Sequence, residues 1–296
     1  MIDEITITSK TGRGSVTMKT RDYTGYWLGA VDWGEVGGSS KTYRYYNQIG
    51  ETIVSTAIGS RDLSIEGWVI ETGEDSMRAR CDTLNSFFSP VEDYTLSYRG
   101  WTIDFRPTSS IVYSRQRKTD NEIVRKFLLQ GTCPFPFFSP EQAVTVPFDL
   151  STKQFRFPTG FGQAAPVVFA TTEKLYNTRI YNPGGFAAGV TIQIDFVGNV
   201  TNPRVRDLKT NRLIGINRAC TNGERLTIVT IPGQKSMTLR RADQTVENVI
   251  KHRHVETSWL QLAPGSNVWA LDCEDLQQRA NMNVQVAFSP LYLEVE

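Results

Sequence analysis

Histidine is nearly missing from this sequence, with two in 296 residues. A Ser–His–Asp or Cys–His nucleophilic site would have to use His252 or His254, and no G-x-S-x-G elbow accompanies them. Cysteine is also sparse. Cys81, Cys133, Cys220 and Cys273 stand far apart with no Cys-x-x-Cys, so they read as buried free thiols and not as a disulfide framework. No apolar run approaches the roughly 18 residues that a membrane span needs, so no membrane insertion is expected. The opening MIDEITITSK has neither a basic n-region nor an apolar h-region, which predicts cytosolic synthesis without a signal peptide. An excess of charge of one sign is absent too. Lys plus Arg is 32 against 31 for Asp plus Glu, whereas free DNA-binding proteins lean basic. Near-neutrality also suits a protein that packs against copies of itself.

What is present is ordinary globular material, 40% hydrophobic and 21% charged, enough for one large domain or two medium ones. One segment predicts a helix, TGEDSMRARCDTLNSFFS at 72–89. Thr72 and Asp75 suggest a capping box, and Glu74 and Asp75 suit the positive end of the dipole. Met77, Cys81, Leu84 and Phe88 recur at helical spacing, and Pro90 stops the run. Almost everything else alternates with period two, as in RDLSIEGWVI (61–70) and GVTIQIDFVG (189–198). ERLTIVTI-PGQK-SMTLRR (224–241) reads as a hairpin. Short strands separated by such turns, without intervening helices, predict antiparallel sandwiches or barrels.

The two halves differ. Residues 1 to about 135 carry strands plus the helix, and residues from about 165 to 296 read as all-β. Between them CPFPFFSPEQAVTVPFDL is too rich in proline for one continuous strand and too aromatic for a loose linker. It predicts an extended crossing, stiffened by its prolines and anchored by its aromatics.

Few constellations suggest chemistry. His252, His254 and Glu256 would share a face if KHRHVE were a strand and could then hold a metal, but a half-exposed polar strand face is the simpler reading. Glu74 and Asp75 read as dipole partners. TGRGS (11–15) and the GG pairs at 37–38 and 184–185 do not sit between a strand and a helix as a phosphate loop requires. SRQRK (114–118), with Arg125 and Lys126 nearby, is diluted by Asp120 and Glu122 and reads as a charged hairpin tip. DWGEVGGSSKTYRYYNQIGE (32–51) is a long Gly/Ser loop carrying Trp33, Tyr43, Arg44, Tyr45 and Tyr46. Tyr, Trp and Arg are favoured at interfaces. The segment either reaches a neighbouring subunit or a glycan, or folds as a flap over its own core.

One stretch carries a family pattern. YNPGGFAAGVTIQIDFVGNVTNPRVRDLKTNRLIGIN (181–217), continued by GERLTIVTIPGQKSMTL, WLQLAPGSNVWALDC and NVQVAFSPLYLEV, resembles the C-terminal domain of siphophage distal tail (Dit) proteins. Upstream, RDLSIEGWV, one helix and the Cys-Pro-x-Pro-aromatic exit at Cys133–Phe137 follow the same order. The resemblance implies a mainly β chain of two domains. Residues 1–138 would form a tail-tube-like β-sandwich with one α-helix, 139–165 a junction, and 166–296 a galectin-like β-sandwich. It implies a structural hub of the virion tail tip, assembled in the host cytoplasm, with no catalytic residues, metal or cofactor. The partners implied are five further copies in a hexameric ring, the tail-tube protein, a baseplate hub protein and receptor-binding proteins, with DNA passing through the lumen unbound. The alternative is a tail-tip carbohydrate-binding protein that recognises a host wall glycan through its C-terminal sandwich. Trp259 and Trp269 would be its stacking candidates, although a core role for Trp269 is the simpler reading. Trp33-Gly34-Glu35 superficially resembles the galectin tryptophan motif, but in the wrong half of the chain.

Overall fold

The computed structural model describes residues 3–20, 25–115, 123–153, 170–174 and 176–295. Two compact units emerge. The first comprises Met1–Glu141 together with Tyr292–Glu296, and the second Gln142–Leu291. The chain thus leaves the first unit at 141 and returns to it at 292, whereas the sequence reading ran the second domain to 296.

The first unit contains β1 (Glu4–Ser9), β2 (Ser15–Lys19), β3 (Gly25–Asp32), β4 (Val36–Tyr43), β5 (Thr52–Ile70), α1 (Glu74–Phe87), β6 (Tyr94–Tyr98), β7 (Trp101–Pro107), β8 (Val112–Tyr113), β9 (Val124–Cys133) and β10 (Ser139–Pro140). All ten strands belong to one sheet, in the order β10-β7-β6-β1-β2-β3-β5-β9-β8 with β4 on β5. An additional pairing of β7 with β9, at Arg106↔Thr132 and Pro107↔Gly131, closes the sheet on itself. The expected N-terminal sandwich is therefore corrected to a closed, barrel-like sheet. Closure removes the exposed edges that two separate sheets would keep. Period-two alternation turns Ile5, Ile7, Met18, Leu28, Ile65, Leu96, Phe105 and Phe127 into a common core.

Helix α1 forms where the 3.6-residue spacing predicts, and Met77, Cys81, Leu84 and Phe87 bury its inner face in that core. The Thr72–Asp75 capping box is not made. Gly73 is the N-cap and contributes no side-chain bond, while Ser76 Oγ donates to the Gly73 carbonyl at 2.9 Å. Tyr26 and Tyr113 hydroxyls donate to the Arg80 and Cys81 carbonyls at 3.2 and 3.3 Å, tying the helix to β3 and β8.

The second unit is also built from strands. Ala188–Phe196 lies centrally in a seven-stranded sheet, between Met282–Phe288 and Arg225–Val229. The predicted hairpin forms as Arg225–Val229 on Ser236–Arg240. Val144–Pro147 adds an edge strand to the same sheet by pairing with Met282–Phe288, so part of the expected junction is structural wall. A four-stranded sheet holds Asn177–Asn182, Gly265–Asp272, Arg204–Asp207 and Leu213–Gly215. Each sheet buries one face, through Val190, Ile192 and Ile194 in the larger and Val205, Trp269 and Leu271 in the smaller. The fold is mainly β, as the sequence predicts.

Candidate assembly surface

Strand β5 has 19 residues but only half of it belongs to the barrel. From Arg61 onward it pairs with β9, and alternate residues are buried. Before Arg61 it pairs with β4 alone, and every residue is exposed. At roughly 3.3 Å per residue, the nine residues Thr52–Ser60 project about 30 Å from the barrel wall. The Gly/Ser-rich segment 32–51 is therefore corrected from a loop to half of a β-hairpin arm. The flap reading fails because residues 37–47 are all exposed to solvent.

The arm is ordered along its length. Ser40 and Thr56 hydroxyls meet across its strands at 3.2 Å. At the tip the Tyr45 amide donates to Gln48 Oε1 at 3.0 Å, Gln48 Nε2 donates to Thr52 Oγ1 at 2.9 Å, and the Tyr43 and Tyr45 rings meet edge to face at 4.5 Å. Its apolar side chains nevertheless have no cover. Tyr46 is 96% exposed and Ile49 99%, and Tyr43, Tyr45, Ile53, Val54 and Ile58 are exposed as well. Such an apolar concentration on a soluble surface marks an interaction site.

The arm's root is clamped. Asp32 Oδ1 accepts the Gly34 amide at 2.9 Å, and Trp33 turns inward to meet the Tyr98 and Phe138 rings at 5.8 and 5.2 Å. Gly34 has φ +65°, and a Cβ there would lie 1.8 Å from the Asp62 carbonyl oxygen. Trp33 is thus a root anchor and no sugar platform. Beside it Arg61 is 3% exposed, its guanidinium 5.1 Å from the Phe138 centroid and donating to the Leu293 carbonyl. Burial pulls the Arg61 pKa down from its usual value, against the opposing fields of Cys133 and Glu294. Phe138 and Tyr292 exchange two backbone hydrogen bonds of 2.8 and 3.0 Å, and the Tyr292 ring meets Trp101 at 5.0 Å. The aromatic exit read at Cys133–Phe137 is anchored one residue later, at Phe138. Sequence reasoning missed the tail's part in this, because five residues carry no periodicity.

Trp27 and Trp68 form a second feature that the sequence did not flag. They are cross-strand partners on β3 and β5 with ring centroids 5.0 Å apart. With Thr20, Leu28, Gly29, Ala30 and Val31 they line an open groove of about 480 Å³. Lys126 lies 5.8 Å over the Trp68 ring and pairs with Glu66 at 2.7 Å.

The remaining candidates do not converge. KHRHVE is no strand. Ile250–His252 is a short 3-10 turn, and His254 Nδ1 accepts the Glu256 amide at 3.2 Å. Among the described residues no three His, Cys, Asp or Glu side chains are grouped to hold a metal. Trp269 is 0% exposed, so the stacking role offered for it has no surface; Trp259 is half-buried beneath Lys235 at 5.6 Å. Glu74 sits at the helix start and pairs with Arg78 at 3.2 Å. Of SRQRK, residues 116–118 lie outside the described residues, as do Asp120 and Glu122. All four cysteines are free and buried, and burial pushes the Cys133 and Cys220 thiols up to about 12.

Residues 183–292 match the family described as siphovirus-type tail component, C-terminal domain. The fold is similar to the crystal structure of the SPP1 Dit protein, at 13% identity and a TM-score of 0.68, over 98% of this chain and 99% of that one. That protein is described as a paradigm of the hub adsorption apparatus in phages infecting Gram-positive hosts. A chain of the phage P2 baseplate, in its activated conformation with Ca, aligns over 100% of both chains at 8% identity and a TM-score of 0.53. No curated protein matches the chain.

Proposed function

We propose, from the match of residues 183–292 to the siphovirus-type tail component family, that the chain is a structural, non-catalytic hub of a phage tail tip. In this reading it joins the tail tube to the baseplate as a hexameric ring through which DNA passes. The observation that carries it is the family match, supported by a likeness to the SPP1 Dit fold that runs almost end to end. The second unit is then the galectin-like sandwich facing outward, where receptor-binding proteins dock, and the barrel unit is the ring former. The physics of the first unit favours this assignment. A closed barrel needs no partner to hide its edges, yet it carries a stiff arm with uncovered apolar side chains, which suits a head-to-tail contact that closes by rotation. A near-neutral chain, with 32 basic and 31 acidic residues, suits a lumen past which DNA slides, since clustered cations would hold its phosphates.

Negative-stain images and light scattering of the full chain test the reading. A six-fold annulus is the expected result. A monomer at every concentration, absent from purified virion tails, would remove it. The carbohydrate-binding alternative has lost its best platform, because Trp269 is inside the second unit.

A further inference from the structure

The outward face of the second unit's four-stranded sheet departs from the balance of the chain. Val205, Trp269 and Leu271 point into the core, so Arg204, Arg206, Val268, Ala270 and Asp272 point out. Arg179 and Tyr181 point the same way from Asn177–Asn182, whose Ile180 and Asn182 are buried. Register sets these side chains in rows. Arg179 stands opposite Val268, whose carbonyl accepts the Leu208 amide at 2.9 Å, and Tyr181 stands opposite Ser266. Arg206 lies opposite Ala270, and Arg204 opposite Asp272. The centre of the face is therefore apolar, made of Tyr181, Val268, Ala270 and Leu208. Tyr181 is 66% exposed and Leu208 49%.

The surround is cationic. Asp272 is the one outward carboxylate on these four strands, and it already draws Arg206 at 3.0 Å and Arg204 at 3.7 Å. Asp207 is buried, and its oxygens accept the Lys209 amide and the Thr210 hydroxyl at 2.9 and 2.7 Å. Arg179, with Lys209 and Arg212 in the adjoining turn, is exposed, and none of the three makes an ion pair among the described residues. The whole chain holds 32 basic and 31 acidic residues, so the excess belongs to this face. Tyrosine and arginine around an aliphatic centre is the composition of a protein interface, whereas a solvated face mixes both signs of charge.

Two other occupants fit poorly. A phosphate backbone would meet the cations but leave Leu208 and Val268 uncovered. The hairpin arm of another copy would bring Lys41 and Arg44 against a single acid, Glu51, and like charges oppose that contact.

We propose that this face docks a different protein of the assembly through a segment in which carboxylates flank apolar side chains. The apolar groups cover Tyr181, Val268 and Leu208, and the carboxylates pair with Arg179 and Lys209. The inference rests on the reading of the second unit as the docking module, and it names the face used and the chemistry of what docks there.

The probe is a labelled peptide of about twelve residues, half Glu and half Leu, titrated with the full chain and read by fluorescence anisotropy, with a Lys/Leu peptide and a single-stranded oligonucleotide of equal length as counterparts. The Glu/Leu peptide should bind, and its affinity should fall about tenfold or more from low to high salt. Tyr181→Ala and Arg179→Glu should each weaken it about tenfold or more, and Arg179→Glu should strengthen binding of the Lys/Leu peptide. Both positions are exposed, so circular dichroism and melting temperature should match the parent. Arg78→Glu makes the same charge change on α1 of the first unit and should leave the affinity unaltered. Equal weakening by Arg78→Glu would reduce the effect to net charge and overturn the proposal. So would a parent that ignores the Glu/Leu peptide, or an oligonucleotide that binds as tightly as the peptide does. A chain that forms the six-fold annulus but ignores the peptide loses this face and keeps the hub reading. A chain that binds the peptide as described but forms no annulus keeps the face and loses the ring.

Discussion

Arg61 and Leu293 are separated by 232 positions in the chain and meet in the first unit, where the buried guanidinium donates to the Leu293 carbonyl. Arg61 is also where β5 passes from barrel to arm, so the returning tail secures the arm's root. Its Nε has no hydrogen-bond partner among the described residues, which leaves the carbonyl as a principal answer to a buried charge.

Deleting residues 292–296 removes that carbonyl, both Phe138–Tyr292 bonds and the Tyr292–Trp101 contact. A lost hydrogen bond to a charged group costs about 2 kcal/mol, with more from the lost packing. Hydrogen exchange should speed up along β9 and the Arg61 end of β5, and stay unchanged in Ala188–Phe196. Equal loosening of both units would contradict this account.

Gly34→Ala should cost at least about 2 kcal/mol in urea unfolding, since a side chain in left-handed backbone is strained and its Cβ would collide with Asp62 backbone. Displacing Trp33 from Phe138 should also shift tryptophan emission. Unchanged stability and emission would mean that the turn is not the rigid root described.

These two residues also show what the sequence made legible. Alternation in residues 61–70 of β5 and in Ala188–Phe196 marked strands because one face is buried, and Met77, Cys81 and Leu84 marked the helix face. The arm left no such mark. With solvent on both faces its residues need no alternation, and VGGSSKTY reads as loop. Nothing at the head of RDLSIEGWVI singled out Arg61, since its partner lies 232 positions away. Barrel closure through Arg106↔Thr132 and Pro107↔Gly131 was invisible because alternation marks where strands lie and not which strands pair. Trp27 and Trp68 each looked ordinary, and only their cross-strand register makes a groove.

Glu247 Oε2 accepts from Arg241 at 2.7 Å and Arg218 at 3.0 Å, and these bonds hold its pKa at about 2, below the usual 4.5. A depressed carboxylate contributes its stabilisation above the unfolded value and loses it as pH falls through the folded one. The contribution is therefore complete above about pH 4.5 and gone by about pH 2. Carboxyl-carbon NMR titration should place the midpoint near the lower value, and Arg241→Gln should raise it. An ordinary midpoint in the parent would refute the paired geometry.

The thiols should be inert in the native protein. Cys133 and Cys220 are held neutral by burial, and Cys81 and Cys273 are pushed the same way. A chromogenic disulfide reagent at pH 8 should label none of the four, and all four in denaturant. Rapid labelling of any one would place it at the surface.

Trp269→Ala should cost roughly 3–5 kcal/mol, because a fully buried indole leaves a cavity. The loss should appear in unfolding of the second unit. A variant as stable as the parent would put Trp269 outside the core.

The bridge between Phe138 and Tyr292 has a practical consequence for protein engineering. Residues 142–291 form an insert whose two seams both open beside that bridge. A chimaera made by exchanging this cassette must keep Phe138–Glu141 and Tyr292–Val295 as fixed borders. A tag or fluorescent fusion placed after Val295 would therefore emerge from the barrel unit and not from the cassette.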